Sequence, residues 1–169
     1  MRKFFRATLI VLLALSAPFT LAGPNGSYLL AFSDGNTNAV VTILEQGIAQ
    51  CQRLDAVYRF DCYRQNYRSA GSKLKGLPDY RAAQKALQQI ELMLKATIRQ
   101  NRDKTAPPVK LNGKTYKAVT PEAVKPGNAA FARARSEAVT SLLRADGQAA
   151  VHYHRIASVV GSNKVIIRS

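Results

Sequence analysis

The stretch Cys51-Gln-Arg-Leu-Asp-Ala-Val-Tyr-Arg-Phe-Asp-Cys62 decides how the first half of the chain folds, because it holds both cysteines of the protein. It lies within residues 37–69, which contain no proline and carry apolar residues at the three- and four-residue steps of one helical face. In one straight helix, the two cysteine Cα atoms would stand roughly 16 Å apart at a rise of ~1.5 Å per residue. A disulfide needs a Cα separation of about 4.4–6.8 Å. A straight helix and an intrachain disulfide therefore exclude each other.

The N-terminus has the residue order of a secretory signal peptide. Three basic residues precede an apolar stretch at residues 7–15, and small residues follow up to Ala22. The apolar stretch is shorter than the roughly 20 residues that a membrane-spanning helix needs. We therefore predict a cleavable signal at residues 1–22, a mature chain that begins near Gly23, and a periplasmic or secreted protein that is not transmembrane. The alternative is an uncleaved N-terminal anchor.

The mature chain has the length of one domain with a modest core. Residues 23–36 are rich in Gly, Pro, Asn and Ser, a composition typical of a flexible N-terminal arm. Residues 37–169 are predicted to form a single helical domain, in which Thr37 or Asn38 caps the first helix.

Export also bears on the cysteines, since pairing is the default in an oxidising compartment. Either the segment at 37–69 breaks between them, with Asp55 capping a second helix, or the thiols stay free or pair between chains. The break is favoured, because two free thiols are less common in an exported protein than a helical corner. Cys51 and Cys62 are then a structural disulfide that closes a short loop.

The residues around the second cysteine carry a resemblance. Cys51 followed by Arg59-Phe-Asp-Cys-Tyr63 resembles the Cys…Arg-Leu-x-Cys-Tyr-Asp pattern of several small exported bacterial proteins, including a type VI secretion-associated family. This chain has Phe60 in place of the Leu and Arg64 where the Asp usually follows. The resemblance implies an intrachain disulfide at a helical corner and a bacterial envelope setting, and it implies no function.

A second helix is predicted over residues 79–103, where apolar residues form the clearest stripe in the sequence. The stripe contains Tyr80, Ala83, Leu87, Ile90, Leu94 and Ile98. Basic and amide side chains lie largely away from it, so another element must cover the stripe.

Two more helices are predicted towards the C-terminus. The third spans residues 128–145 and opens with an asparagine cap after a break at Pro126-Gly127. Its apolar face contains Phe131, Ala138, Leu142 and Leu143. The fourth spans residues 148–160 and stops at Gly161.

A β-hairpin is predicted at residues 109–119, because Asn112 and Gly113 lie between short apolar-polar alternations and both tolerate positive φ. Residues 164–168 are β-prone and offer a further strand for this hairpin. The predicted fold is mainly α, an antiparallel bundle of about four helices with one small hairpin.

The mature chain is strongly basic. The full sequence has 25 basic and 10 acidic residues, and removal of the signal leaves 22 basic residues and a net charge of +12. Such a charge favours anionic partners. Export disfavours nucleic acid and favours an acidic protein, an anionic envelope polymer or a lipid headgroup. The alternative is that the basic residues bind no partner and only keep the solvated surface soluble.

Tyrosine-arginine pairs recur in residues 58–68, and this recurrence supplies the candidate binding site. The candidates are Arg53, Arg64 and Arg68, with Tyr63 and Tyr67 beside them on one side of a helix. Guanidinium groups bind phosphate or carboxylate through two hydrogen bonds, and phenols add an amphipathic surface. The alternative is an exposed arginine face with tyrosine rings along the edge of the core.

Catalytic and metal-binding patterns are weak. His152 and His154 are two residues apart, so on a helix they point in different directions and do not share a metal, and His152 is expected to be a partly buried core residue. The acidic residues are scattered singly, and no nucleophile elbow or phosphate loop occurs in the sequence. No metal, cofactor or catalytic residue is predicted.

Two functions of different classes follow. The first is a non-enzymatic envelope binding or assembly protein whose basic face docks an acidic protein or an anionic envelope polymer. The second is a small cell-wall hydrolase whose carboxylates converge only in the fold. A cleft with two converging acids would favour hydrolysis. A dimer through an exposed apolar stripe is a further possibility.

Overall fold

The computed structural model describes residues 32–162, which form five α-helices and one β-hairpin. The helices are α1 (Asp34–Gln52), α2 (Ala56–Lys73), α3 (Arg81–Asn101), α4 (Val124–Leu143) and α5 (Gly147–Ser162), and the strands are β1 (Val109–Leu111) and β2 (Lys114–Tyr116). The predicted mainly α fold with a small hairpin is confirmed. The predicted signal at 1–22, most of the predicted arm and the β-prone residues 164–168 lie outside the described residues.

Each helix packs against the next one along the chain, and α5 also packs against α1. The second helix, α2, is the most enclosed, because α1, α3 and β2 all pack against it and Phe131 of α4 reaches it. Its buried residues are Tyr58, Phe60, Asp61, Cys62, Tyr63, Asn66, Tyr67, Ala70 and Gly71. The core of the domain therefore surrounds α2 on most of its circumference.

The segment predicted at 37–69 breaks into α1 and α2, and its cysteines form a disulfide with a Cα separation of 5.5 Å. Asp55 occupies the N-cap position of α2, although its side chain makes no capping hydrogen bond. Arg59 holds the corner instead, since its Nε donates to the carbonyl of Leu54 at 2.7 Å. The favoured break is thus present, and with it residues 32–162 form five helices.

The first helix begins earlier than predicted. The Ser33 side chain accepts a hydrogen bond from the Asn36 amide at 3.2 Å and caps α1, and Asp34 adds a favourable charge in the first turn. Residues 34–36 are therefore helical and do not belong to an arm. The predicted cap, Thr37, is buried, and its hydroxyl lies 2.8 Å from Nδ1 of His152.

The fourth helix also begins earlier than predicted. It starts at Val124 and continues through Pro126 and Gly127, so the predicted break and the cap at Asn128 are wrong. Proline is tolerated in the first turn because its position has no intrahelical N–H partner. Glycine is required for packing, since a Cβ at Gly127 would lie 2.8 Å from the ring of Phe60.

Two details of the C-terminal helices differ from the prediction. Leu143 was predicted on the apolar face of α4, but it is 50% exposed. The last helix, α5, continues through Gly161 to Ser162. In contrast to Leu143, Arg135 is buried on α4, where it lies between Phe131 and Ala138.

The hairpin is confirmed. Asn112 and Gly113 have φ values of 51° and 73°, which both central residues of a tight two-residue turn require. The hairpin is held against α2 by Asp61, whose buried carboxylate accepts a hydrogen bond from the Lys117 amide at 3.0 Å.

Candidate functional site

The predicted tyrosines do not lie on the surface. Tyr63 and Tyr67 are 1% and 0% exposed, and their rings pack against Phe131 of α4 at centroid distances of 5.2 Å and 5.9 Å. They face the core because the ring of Phe131 packs against the side of α2 on which they stand. The prediction that Tyr63 and Tyr67 lie on a binding surface beside the arginines is therefore wrong.

The three predicted arginines do not form one face either. Arg53 is exposed at the corner after α1. Arg64 is half-buried and paired, with its guanidinium 2.7 Å from Asp61 and 3.8 Å from Glu91 of α3. Arg68 is exposed and makes no ion pair or hydrogen bond with residues 32–162. Of these arginines, Arg68 is the one that combines exposure with a place in a cleft.

A polar cleft of about 300 Å³ lies along the seam between α2 and α3. It is lined by Tyr67, Arg68, Gly71, Ser72, Lys75, Gln84, Gln88 and Glu91, and we call it the α2–α3 cleft. At Gly71, a Cβ would lie 3.8 Å from Cβ of Leu87 and 3.9 Å from the carbonyl oxygen of Gln84, which are ordinary van der Waals distances. The glycine itself adds no side chain to the cleft that it lines.

The two walls of the α2–α3 cleft differ in chemistry. The α2 side supplies two cations, Arg68 and Lys75. The α3 side supplies two amides one helical turn apart, Gln84 and Gln88, and one carboxylate, Glu91. Neither cation has an acidic partner among the described residues, so a positive potential is left uncompensated on the α2 wall.

Sequence reasoning missed most of this cleft because it placed the end of the helix near Ser69. The helix continues to Lys73, so Gly71 and Ser72 belong to α2 and do not open a loop. The sequence did contain one signal for the cleft, the amides of Gln84 and Gln88, which are four residues apart on α3. They lie on the side of the helix away from much of its apolar stripe. Only the packing of α2 against α3 shows that these amides face Arg68.

Two carboxylates, those of Asp61 and Glu91, meet at the guanidinium of Arg64, but the Asp61 carboxylate is buried. Glu91 is the one acidic residue that lines the α2–α3 cleft. Within residues 32–162, no group of three or more His, Cys, Asp and Glu side chains is placed to hold a metal ion. His152 is buried and bonded to Thr37, as expected, whereas His154 is exposed.

A second cluster of polar groups is buried in the core around Arg135, which is 5% exposed. Its guanidinium carbon lies 5.0 Å from the centre of the Phe131 ring, and Nη1 donates to the carbonyl of Val160 at 3.4 Å. Burial lowers the pKa of Arg135. Because Val160 lies in the last turn of α5, the cation stands at the negative end of that helix, which indicates a structural role.

Tyr63 belongs to the same buried cluster. Its hydroxyl makes no hydrogen bond within the described residues, and burial raises the pKa of Tyr63 to about 12. The nearby guanidinium groups of Arg59 and Arg135 act in the opposite direction. The phenol is thus kept neutral inside the core, and Tyr63 is not among the residues that line the α2–α3 cleft.

Comparison with protein-family models, with curated proteins and with solved structures gives no match for this chain. Among the described residues, every helix falls short of the length and apolar character that crossing a membrane requires.

Proposed function

We propose that this protein is an exported, non-enzymatic binding protein whose α2–α3 cleft binds an acidic protein or an anionic polymer of the bacterial envelope. One observation carries the proposal: Arg68 and Lys75 line a polar cleft and lack an acidic partner among the described residues. Cations without internal partners favour an external anion. The net charge of the mature chain supports the same class of ligand by attracting anions to the protein.

Export rests on two supports. The N-terminal residue order is that of a signal peptide. The Cys51–Cys62 disulfide is compatible with an oxidising compartment, where such bonds persist. An exported basic protein meets acidic envelope polymers and acidic proteins before it meets nucleic acid.

The alternative function, a cell-wall hydrolase, has less support. Hydrolysis of a glycosidic bond by the usual route requires two carboxyl groups at roughly 5–10 Å from each other. The α2–α3 cleft contains one carboxylate, Glu91, and this group lies 3.8 Å from the guanidinium of Arg64. That arrangement suits a ligand with hydrogen-bond donors better than it suits acid-base catalysis.

Binding is tested with two double variants that change the net charge equally. Arg68→Gln with Lys75→Gln removes both cations of the cleft, whereas Arg81→Gln with Lys85→Gln removes two exposed cations of α3 that lie outside it. The dissociation constant for acidic envelope polysaccharide and for polyglutamate is measured by titration calorimetry near physiological salt.

The cleft variant should weaken binding of the preferred polyanion by about ten-fold or more, which corresponds to ~1.4 kcal/mol, and the control variant by less than about two-fold. Equal losses in both variants would mean that charge acts over the whole surface and would overturn the cleft as the site. Release of reducing ends from peptidoglycan, with loss of that activity in Glu91→Gln, would support the hydrolase instead.

A further inference from the structure

We infer that the α2–α3 cleft recognises an acidic saccharide, a sugar unit with one carboxylate and several hydroxyl groups. This inference rests on the proposed function, because it names the ligand class of the same cleft. It depends on the size of the cleft, on the difference between its two walls and on the position of Glu91.

The size of the cleft limits the occupant to a small unit. Its volume of about 300 Å³ lies at the lower end of the ~300–1,000 Å³ found for small-molecule sites. A sugar unit of a polymer fits that scale. A folded protein surface or an α-helix does not enter a cleft of this volume.

The polar groups of the cleft exceed what a carboxylate alone would use. Arg68 and Lys75 only donate hydrogen bonds and match one acidic group. Gln84 and Gln88 each offer two donors and an acceptor, and the Ser72 hydroxyl offers both functions. Neighbouring hydroxyl groups of a sugar also donate and accept, so they pair with both functions of the amides, whereas the carboxylate of an acidic peptide side chain only accepts and uses their N–H groups alone.

Glu91 selects against ligands with dense negative charge. Its carboxylate accepts hydrogen bonds and repels a second anion, so it favours a hydroxyl or an N–H donor of the ligand beside it. Polyglutamate and polyphosphate place an anion at every unit and meet this repulsion. A polymer in which acidic and neutral sugars alternate avoids it.

The cleft offers no open aromatic ring for stacking among its described residues. Tyr67 lines the cleft, but the residue is 0% exposed and its ring packs edge-on against Phe131. Recognition of single-stranded nucleic acid relies on base stacking against aromatic side chains. The cleft therefore recognises its ligand by hydrogen bonds and charge, which agrees with a sugar acid and not with a nucleobase.

The test compares three probes of similar length on the full mature protein with its disulfide intact. The acidic probe is a tetrasaccharide of alternating glucuronic acid and N-acetylglucosamine. The neutral probe is the tetramer of N-acetylglucosamine, and the peptide probe is tetraglutamate. Each dissociation constant is measured by NMR titration, and circular dichroism verifies that each variant is folded.

Two double variants separate the amides from general effects of substitution. Gln84→Ala with Gln88→Ala removes both amides of the cleft, and Gln89→Ala with Gln100→Ala removes two exposed amides of α3 outside it. The acidic tetrasaccharide should bind at least about ten-fold more tightly than the neutral one and more tightly than tetraglutamate. Loss of the cleft amides should weaken the acidic tetrasaccharide about five-fold or more and tetraglutamate by less than about two-fold, and the control should change neither, since the sugar uses both the donors and the acceptors of the amides.

Failure of the sugar assignment and failure of the proposed function give different results. If tetraglutamate binds as tightly as the acidic sugar and the cleft amides have no effect, the sugar assignment is overturned while the anion-binding function stands. If no acidic probe binds, or if Arg68→Gln with Lys75→Gln changes no affinity, the proposed function fails together with this inference.

Discussion

Gly47 of α1 and Asn66 of α2 are in direct contact, so that a Cβ on Gly47 would lie 2.0 Å from Cγ and Oδ1 of Asn66. The Asn66 amide is buried and donates from Nδ2 to the carbonyl of Leu44 at 3.2 Å. The backbone of α1 thus packs against a side chain of α2, one helical turn away from the disulfide. Neither residue has room to move without losing this hydrogen bond.

Gly47→Ala should therefore lower the free energy of unfolding by about 2–4 kcal/mol, because it combines overpacking with the loss of a buried hydrogen bond. Urea denaturation measures the change. The control is Gly71→Ala, whose Cβ meets only ordinary contacts at 3.8 Å and 3.9 Å. Gly71→Ala should leave stability unchanged or raise it by up to ~1 kcal/mol, as alanine favours a helix interior. Equal stability of both variants would contradict the tight contact.

The disulfide should contribute stability to the corner between α1 and α2. Replacing Cys51 and Cys62 together by serine removes a crosslink that closes a short loop, so the free energy of unfolding should fall by about 2–3 kcal/mol. The measurement is urea denaturation of the double variant and of the wild-type protein with and without a reductant. Reduced wild type should behave like the double variant. Insensitivity of the wild type to full reduction would show that the corner is held by packing and by Arg59 alone.

Stability should fall at alkaline pH through Tyr63. Its pKa in the folded state is raised by burial from the ordinary tyrosine value of 10.0 to about 12. The unfolded chain therefore releases the phenolic proton first, so the contribution of the neutral phenol is fully present below pH 10 and is lost as the pH rises towards 12. The rise of the Tyr63 pKa from 10.0 to about 12 corresponds to ~2–3 kcal/mol of stability.

Tyr63→Phe tests this dependence by urea denaturation at pH 7 and pH 11. The hydroxyl makes no hydrogen bond within the described residues, so the variant should match the wild type within ~0.5 kcal/mol at pH 7. At pH 11 it should be the more stable of the two. The same loss between pH 7 and pH 11 in both proteins would mean that other groups, such as the lysines, account for alkaline unfolding.

Asp61 should be essential for holding the hairpin. Its carboxylate is buried, pairs with Arg64 at 2.7 Å and accepts the Lys117 amide at 3.0 Å. Asp61→Ala leaves a guanidinium and an amide without these acceptors, which should lower the free energy of unfolding by about 2–4 kcal/mol. Amide hydrogen exchange at Lys117 should also become faster.

The matched control for this prediction is Asp55→Ala. Asp55 is exposed and its side chain makes no capping hydrogen bond, so its removal should change stability by less than ~0.5 kcal/mol. Slow exchange at Lys117 in the Asp61 variant would show that packing of Tyr116, and not the carboxylate, holds the hairpin on α2.

Local patterns were sufficient where one segment determines its own conformation. Asn112 and Gly113 adopt positive φ because of their own backbone preferences, so the hairpin follows from two neighbouring residues. The stripe on α3 was predicted correctly because a helix with one covered side keeps the same residues inside whatever element covers it.

Local patterns failed where several elements meet. Pro126 and Gly127 usually mark a break, but they lie inside α4 because the first turn tolerates proline and because Phe60 of α2 occupies the space above the glycine. Tyr63 and Tyr67 belong to a helix that is covered on most sides, so a rule that assigns one buried face places them wrongly.

The sequence by itself determined the helical class, the hairpin turn, the mutual exclusion of a straight helix and an intrachain disulfide, and the strongly basic character of the chain. These follow from backbone preferences, periodicity and charge, which are properties of short segments. Only the tertiary structure decided that the chain breaks at the corner, that Arg64 is engaged by Asp61 and Glu91 while Arg68 has no ion pair within residues 32–162, and that Gln84 and Gln88 face Arg68 across a cleft. Those facts depend on distances between residues far apart in the chain, and such distances exist only once α2 is packed between its neighbours.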